Sequence, residues 1–145
     1  MIDPNFPVVI YHNPDCRTSR SALAMIQAAG YTPIVVEYLK AGWRRDQLEI
    51  LTGEAGARSR DWLRATGTPA VELDLLSEDM SDEALMDAMI EHPILVNRPI
   101  VVTPKGVKLC RPSEAVFDLL ERRPESFAKE DGEIVRRSAP DPNAG

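Results

Sequence analysis

Two hydrophobic rhythms alternate along this chain. Val8-Val9-Ile10-Tyr11 and Ile34-Val35-Val36-Glu37-Tyr38 are short β-branched and aliphatic runs that read as strands. Between them, Leu23, Met25 and Ile26 recur at helical spacing in a helix from about Thr18, and Gly30 is placed to act as its C′ residue. Strand, helix and strand in that order predict a parallel pair with a right-handed crossover. From about residue 44 to 92 the pattern is helical throughout. Leu48, Ile50 and Leu51 mark one piece, Trp62-Leu63 a second, and Leu85, Met86, Met89 and Ile90 a third. Ser81 is a suitable N-cap for that third helix, with Asp82 and Glu83 in its first turn. After His92-Pro93 the period returns to that of strands. Ile100-Val101-Val102-Thr103, a Pro104-Lys105-Gly106 turn and Val107-Lys108-Leu109-Cys110 predict a hairpin. A last helix is expected near Pro112-Ser113-Glu114, with proline in its first turn and Val116, Phe117, Leu119 and Leu120 facing the core.

The order β-α-β, helical block, β-β-α predicts an α/β fold of thioredoxin-like layout. Its mixed sheet is expected to carry a helical insertion, about 44–92, between the β-α-β and β-β-α halves. The chain of 145 residues suits one domain, placed at 1–137, and 138–145 reads as a disordered tail. A formal net charge of −6 argues against a nucleic-acid surface. The N-terminal segment has no basic n-region, and no apolar run approaches the ~20 residues needed to span a bilayer. A cytoplasmic, membrane-free protein with free thiols is the expectation.

Chemistry concentrates at Cys16. A cysteine where a strand turns into a helix meets unpaired backbone N–H groups and the positive end of the helix dipole. Both favour the thiolate, which is the nucleophile, and the same N–H groups form an anion site. Arg17 and Arg20 lie close by in sequence. Cys110 belongs to no Cys-x-x-Cys pair or zinc-ligand spacing and reads as a packed strand residue.

Three motifs carry a specific resemblance. His12-Asn13-Pro14-Asp15-Cys16-Arg17-Thr18-Ser19-Arg20, His92-Pro93-Ile94-Leu95-Val96-Asn97-Arg98-Pro99-Ile100-Val101-Val102-Thr103 and Leu109-Cys110-Arg111-Pro112-Ser113-Glu114 are similar to the glutaredoxin-dependent arsenate reductases. The similarity runs from about Val8 to Gly132. It implies that Cys16 attacks arsenate and that three arginines, placed at Arg64, Arg98 and Arg111, bind the oxyanion. It also implies that His12 helps lower the cysteine pKa. No bound cofactor is implied. Glutathione serves as co-substrate and glutaredoxin as protein partner, and arsenite leaves after reduction of the arsenic centre.

The residue types agree with those roles. Arsenate is a multiply charged tetrahedral anion, and planar guanidinium groups meet its oxygens bidentately. Arg98 precedes a proline at the start of a strand, a candidate cis peptide. In thioredoxin-like folds that loop lies against the active cysteine. Arg111 stands just before the last helix. Arg58 and Arg60 compete with Arg64 for its place, and any of these arginines could instead pair with a neighbouring carboxylate. His12 either stabilises the thiolate when protonated or hydrogen-bonds the turn. His92 reads as a helix-end residue without chemistry. Arg17 departs from the family, where glycine commonly follows the nucleophile; a positive φ there would cost a side chain ~1–2 kcal/mol. Ser19 stands where a dithiol oxidoreductase has its second cysteine, so the electrons must come from outside. Two other classes share these features: a different glutathione-linked thiol reductase, and a non-catalytic Spx-type regulator that binds RNA polymerase. Retention of Arg64, Arg98 and Arg111 and the lack of Cys-x-x-Cys weigh against the regulator.

Overall fold

In a computed structural model, residues 6–136 are described. The expected disordered tail, 138–145, lies outside them. Four strands form a mixed sheet in the order β2-β1-β3-β4: β1 Val9–His12, β2 Ile34–Glu37, β3 Ile100–Thr103 and β4 Gly106–Leu109. β1 runs parallel to β2 and antiparallel to β3, and β3 and β4 close the expected hairpin through Pro104-Lys105. This is the thioredoxin-like arrangement, with α1 (Arg17–Ala28) as its first crossover helix.

Strand alternation builds two cores, because successive side chains point to opposite faces. On one face Val8, Ile10 and Val101 meet Ala22, Met25 and Ile26 of α1, together with Val116 and Phe117. On the other, Ile100 and Val107 meet the insertion through Tyr38, Leu48, Trp62, Leu85 and Met89. Gly30 ends α1 with φ +97, where a glycine avoids the Cβ penalty. Ser81 caps α4 (Asp82–Glu91) by accepting the Ala84 N–H.

The insertion departs from the expectation of helical structure throughout 44–92. After α2 (Tyr38–Ala41), it contains α3 (Arg45–Ala55), α4 and a short 3-10 turn at Ser59–Trp62, and a second such turn, Pro93–Leu95, follows it. Between residues 63 and 80 the chain forms turns. Gly67 sits at φ +74, Pro69 cannot donate to a helix, and the Thr68 hydroxyl bonds the carbonyls of Arg64 and Ala65. Leu63 leaves the helical pattern to bridge Val96. Ile50 is exposed, so its apolar character does not mark the packed face of α3. The last helix is a 3-10 segment, Ser113–Leu119, with Pro112 as its N-cap and not inside its first turn. Cys110 lies one residue beyond β4. A second small hairpin, β5 (Ser126–Ala128) with β6 (Ile134–Arg136), follows and packs Phe127 and Val135 on the α1 core.

Candidate active site

β1 ends at His12, and the next four residues carry the chain to Cys16. The Asn13 side chain accepts the Asp15 N–H at 2.9 Å, and the Cys16 N–H is held by the Asn13 carbonyl at 3.1 Å. That turn places Cys16 at the N-cap of α1, with extended φ −101 and ψ 120. Cys16 is 6% exposed. Arg17 begins the helix without a positive φ, so it carries none of the strain considered for that position.

Several effects act on the Cys16 sulfur. Burial, the largest, disfavours the charged form. It is outweighed by the Ser19 backbone N–H, which faces the sulfur without closing a capping hydrogen bond, and by the charges of Arg98 and Arg111. The thiol is therefore held below the ordinary 9.0. Arg111 is the nearest cation, its Nη1 lying 3.8 Å from the sulfur and 3.0 Å from the Arg98 carbonyl, to which it donates. Cys110 is the opposite case. It is fully buried, and burial pushes its thiol up to about 12, so it remains protonated and inert.

The Arg98-Pro99 bond is cis, as the sequence suggested, and so is Arg111-Pro112. Both loops lie at the sheet end that holds Cys16. Arg98 is anchored by the Asn97 side chain, which accepts from both its backbone N–H and its Nη1. Arg64 is steadied by donation from its Nε to the Thr66 carbonyl at 2.9 Å. Gly67 backs it so closely that a Cβ there would lie 3.2 Å from Nη2. Arg64, Arg98 and Arg111 line one cavity of about 320 Å³, walled otherwise by residues 63–66 and Asn97. Among the described residues, none of the three belongs to an ion pair.

The competing arginines are committed elsewhere. Arg60 donates to the carbonyls of Ser77, Glu78 and Met80, and Arg58 pairs with Asp61. His12 is buried and its Nδ1 lies 2.6 Å from the Ser19 hydroxyl, which also accepts the Asn13 N–H. Burial, chiefly, holds His12 below 6.5, so at neutral pH it is uncharged. It supplies no positive charge to the thiolate and buttresses the turn instead. The wall formed by residues 63–66 is not evident in the hydrophobic pattern, although Gly67-Thr68-Pro69 is the turn chemistry that marks it.

A cysteine at the N-terminus of the first helix of a thioredoxin-like sheet, facing three clustered arginines, is the arrangement that thiol chemistry on an oxyanion would use. The chain belongs to the ArsC family, whose model matches residues 11–119. It is 59% identical over 129 residues to "Arsenate reductase ArsI2" of Synechocystis, covering 88% of this chain and 92% of that one. It is 49% identical over 129 residues, with the same shares of each chain, to an arsenate reductase of Escherichia coli. Among solved structures, an arsenate reductase from Vibrio cholerae superposes with a TM-score of 0.75 at 39% identity, over 79% of this chain and 98% of that one. No helix among the described residues is long and apolar enough to cross a membrane.

Proposed function

We propose that this chain reduces arsenate to arsenite, with Cys16 as nucleophile, Arg64, Arg98 and Arg111 as oxyanion ligands, glutathione as co-substrate and glutaredoxin as electron donor. The observation that carries the reading is the juxtaposition of a thiol with lowered pKa and a cavity lined by three arginines that have no ion-pair partner among the described residues. Three such cations brought together repel one another, and a multiply charged anion relieves that repulsion. The names of the relatives supply the anion.

The chemistry then follows from the thiols. The Cys16 thiolate bonds to arsenic, and one arsenate oxygen leaves as water after taking up protons. The glutathione sulfur displaces a second oxygen in the same way. A glutaredoxin thiolate attacks the glutathione sulfur, forming a mixed disulfide. The electron pair of the broken arsenic–sulfur bond stays on arsenic, which passes from the +5 to the +3 state. Hydrolysis releases arsenite and restores Cys16. The arginines hold the oxygens and favour the developing charge, which guanidinium forks do better than point charges. His12 and Ser19 keep the nucleophile turn in place.

A coupled assay tests this directly, with arsenate, glutathione, glutaredoxin and glutathione reductase, following NADPH. Turnover should require all three reactants. Cys16→Ser should abolish it, while Cys110→Ser should retain most of it. Loss of activity in the Cys110 variant with its fold intact would reveal a second essential thiol, and turnover by Cys16→Ser would refute the mechanism.

A further inference from the structure

Tyr38 is a buried polar residue to which the scheme above gives no part. It opens α2 where β2 ends. His12 lies opposite Glu37 in the parallel β1–β2 pair, so Asn13 and Tyr38 leave the sheet side by side. Arg98 reaches the same end from β3, whose first residue, Ile100, pairs with Tyr11. The Tyr38 ring is fixed by stacking on Trp43, with centroids 5.3 Å apart, and Trp43 in turn packs against Tyr11.

Tyr38 is 1% exposed, and its hydroxyl closes no hydrogen bond of ordinary geometry among the described residues, although the Asn13 side chain faces it. The Arg98 Nε is likewise buried and unpartnered. Buried polar groups are paired in the great majority of cases, so two orphans at one end of a sheet call for an occupant. The charges of Arg98, Arg64 and Cys16 all act on the Tyr38 hydroxyl, so it shares the field of the arginine cluster. Burial is the largest influence and pushes the phenol above its ordinary 10.0, so it stays protonated and can donate.

We propose that the Tyr38 hydroxyl is a further catalytic donor, hydrogen-bonding an oxygen of the arsenic group once that group is bonded to Cys16. The inference rests on the arsenate reading. Depth selects the adduct over the free anion. The arginines line the open cavity, whereas Cys16, with Arg111 3.8 Å from its sulfur, and Tyr38 are both nearly inaccessible. A free oxyanion meets the guanidinium groups first. Bonding to the Cys16 sulfur draws its oxygens down to the level of the phenol, where water is excluded and a fixed donor acts at full strength.

Tyr38→Phe in the full chain tests this, because the stacked ring is kept and only the hydroxyl is removed. Melting temperature should stay close to wild type, since the hydroxyl closes no hydrogen bond of ordinary geometry in the free protein. In the coupled assay kcat should fall about tenfold or more, the loss expected for a donor to a charged oxygen. KM for arsenate should stay within about threefold. Wild-type kcat in the variant would overturn the proposal while leaving the arsenate reading intact. So would a lowered melting temperature, which would mean a structural hydrogen bond, or a rise in KM as large as the fall in kcat, which would mean that Tyr38 acts on the free anion. A wild-type chain inactive on arsenate would overturn the reading itself, and this inference with it.

Discussion

Arg58, Arg60 and Arg64 lie within seven residues and meet three different fates, which makes them the sharpest test at the scale of single side chains. Arg60 is spent on three backbone carbonyls, whereas Arg64 holds its guanidinium toward the cavity. Arg60→Ala should therefore lower stability by ~1–3 kcal/mol with little effect on KM for arsenate. Arg64→Ala should weaken arsenate binding or turnover about tenfold or more while melting close to wild type. Thermal melts and steady-state kinetics on both variants check this, and the reverse pattern would move the ligand from Arg64 to Arg60. His12 yields a second test. Its pKa is lowered below 6.5 in the fold, so the unfolded chain binds the proton first and stability falls as pH drops below about 6.5. A variant such as His12→Asn lacks that loss. The stability gap between wild type and variant, measured by urea unfolding, should thus narrow from pH 7 to pH 5. A gap that widens would mean that the fold holds a charged imidazole.

The elements show what a sequence discloses and what it withholds. Val9–His12, Ile34–Glu37 and the β3–β4 hairpin were legible because β-branched runs bounded by turn residues leave few alternatives. Cys16, Arg98 and Arg111 were legible for a related reason: each sits where one element hands over to the next. The segment between Leu63 and Met80 was not. It reads as helical with the rest of the block, and the Gly67-Thr68-Pro69 turn overrides that reading. The β5–β6 hairpin was missed because strands of three residues, with little apolar content beyond Phe127, Ile134 and Val135, carry almost no periodic signal. Tyr38 read as the last aromatic of a strand, and only the fold shows that it opens α2 and is buried there. Burial separates the elements energetically too. Leu85 of α4 is fully buried in the core that supports the Arg64 segment. Leu85→Ala should cost ~2–5 kcal/mol, read as a shift of the urea midpoint. A cost under 1 kcal/mol would mean that the insertion is loosely packed.

At the scale of the whole molecule, the site occupies the junction between two cores. One sheet face is sealed by α1 and the Ser113–Leu119 segment, the other by the insertion, and both layers send arginines to the sheet end where Cys16 caps its helix. In a chain of net charge −6, that end gathers cations with no carboxylate partner among the described residues, so the local field runs against the overall balance. The same field is what sets the state of the sulfur. The central claim is that this end of the fold favours the Cys16 thiolate, and the titration of Cys16 tests that claim most directly. Iodoacetamide alkylation, followed residue by residue by mass spectrometry across pH, should give a Cys16 midpoint clearly below the ordinary 9.0, with Cys110 unreactive throughout the native range. A midpoint at or above 9.0 would contradict the account.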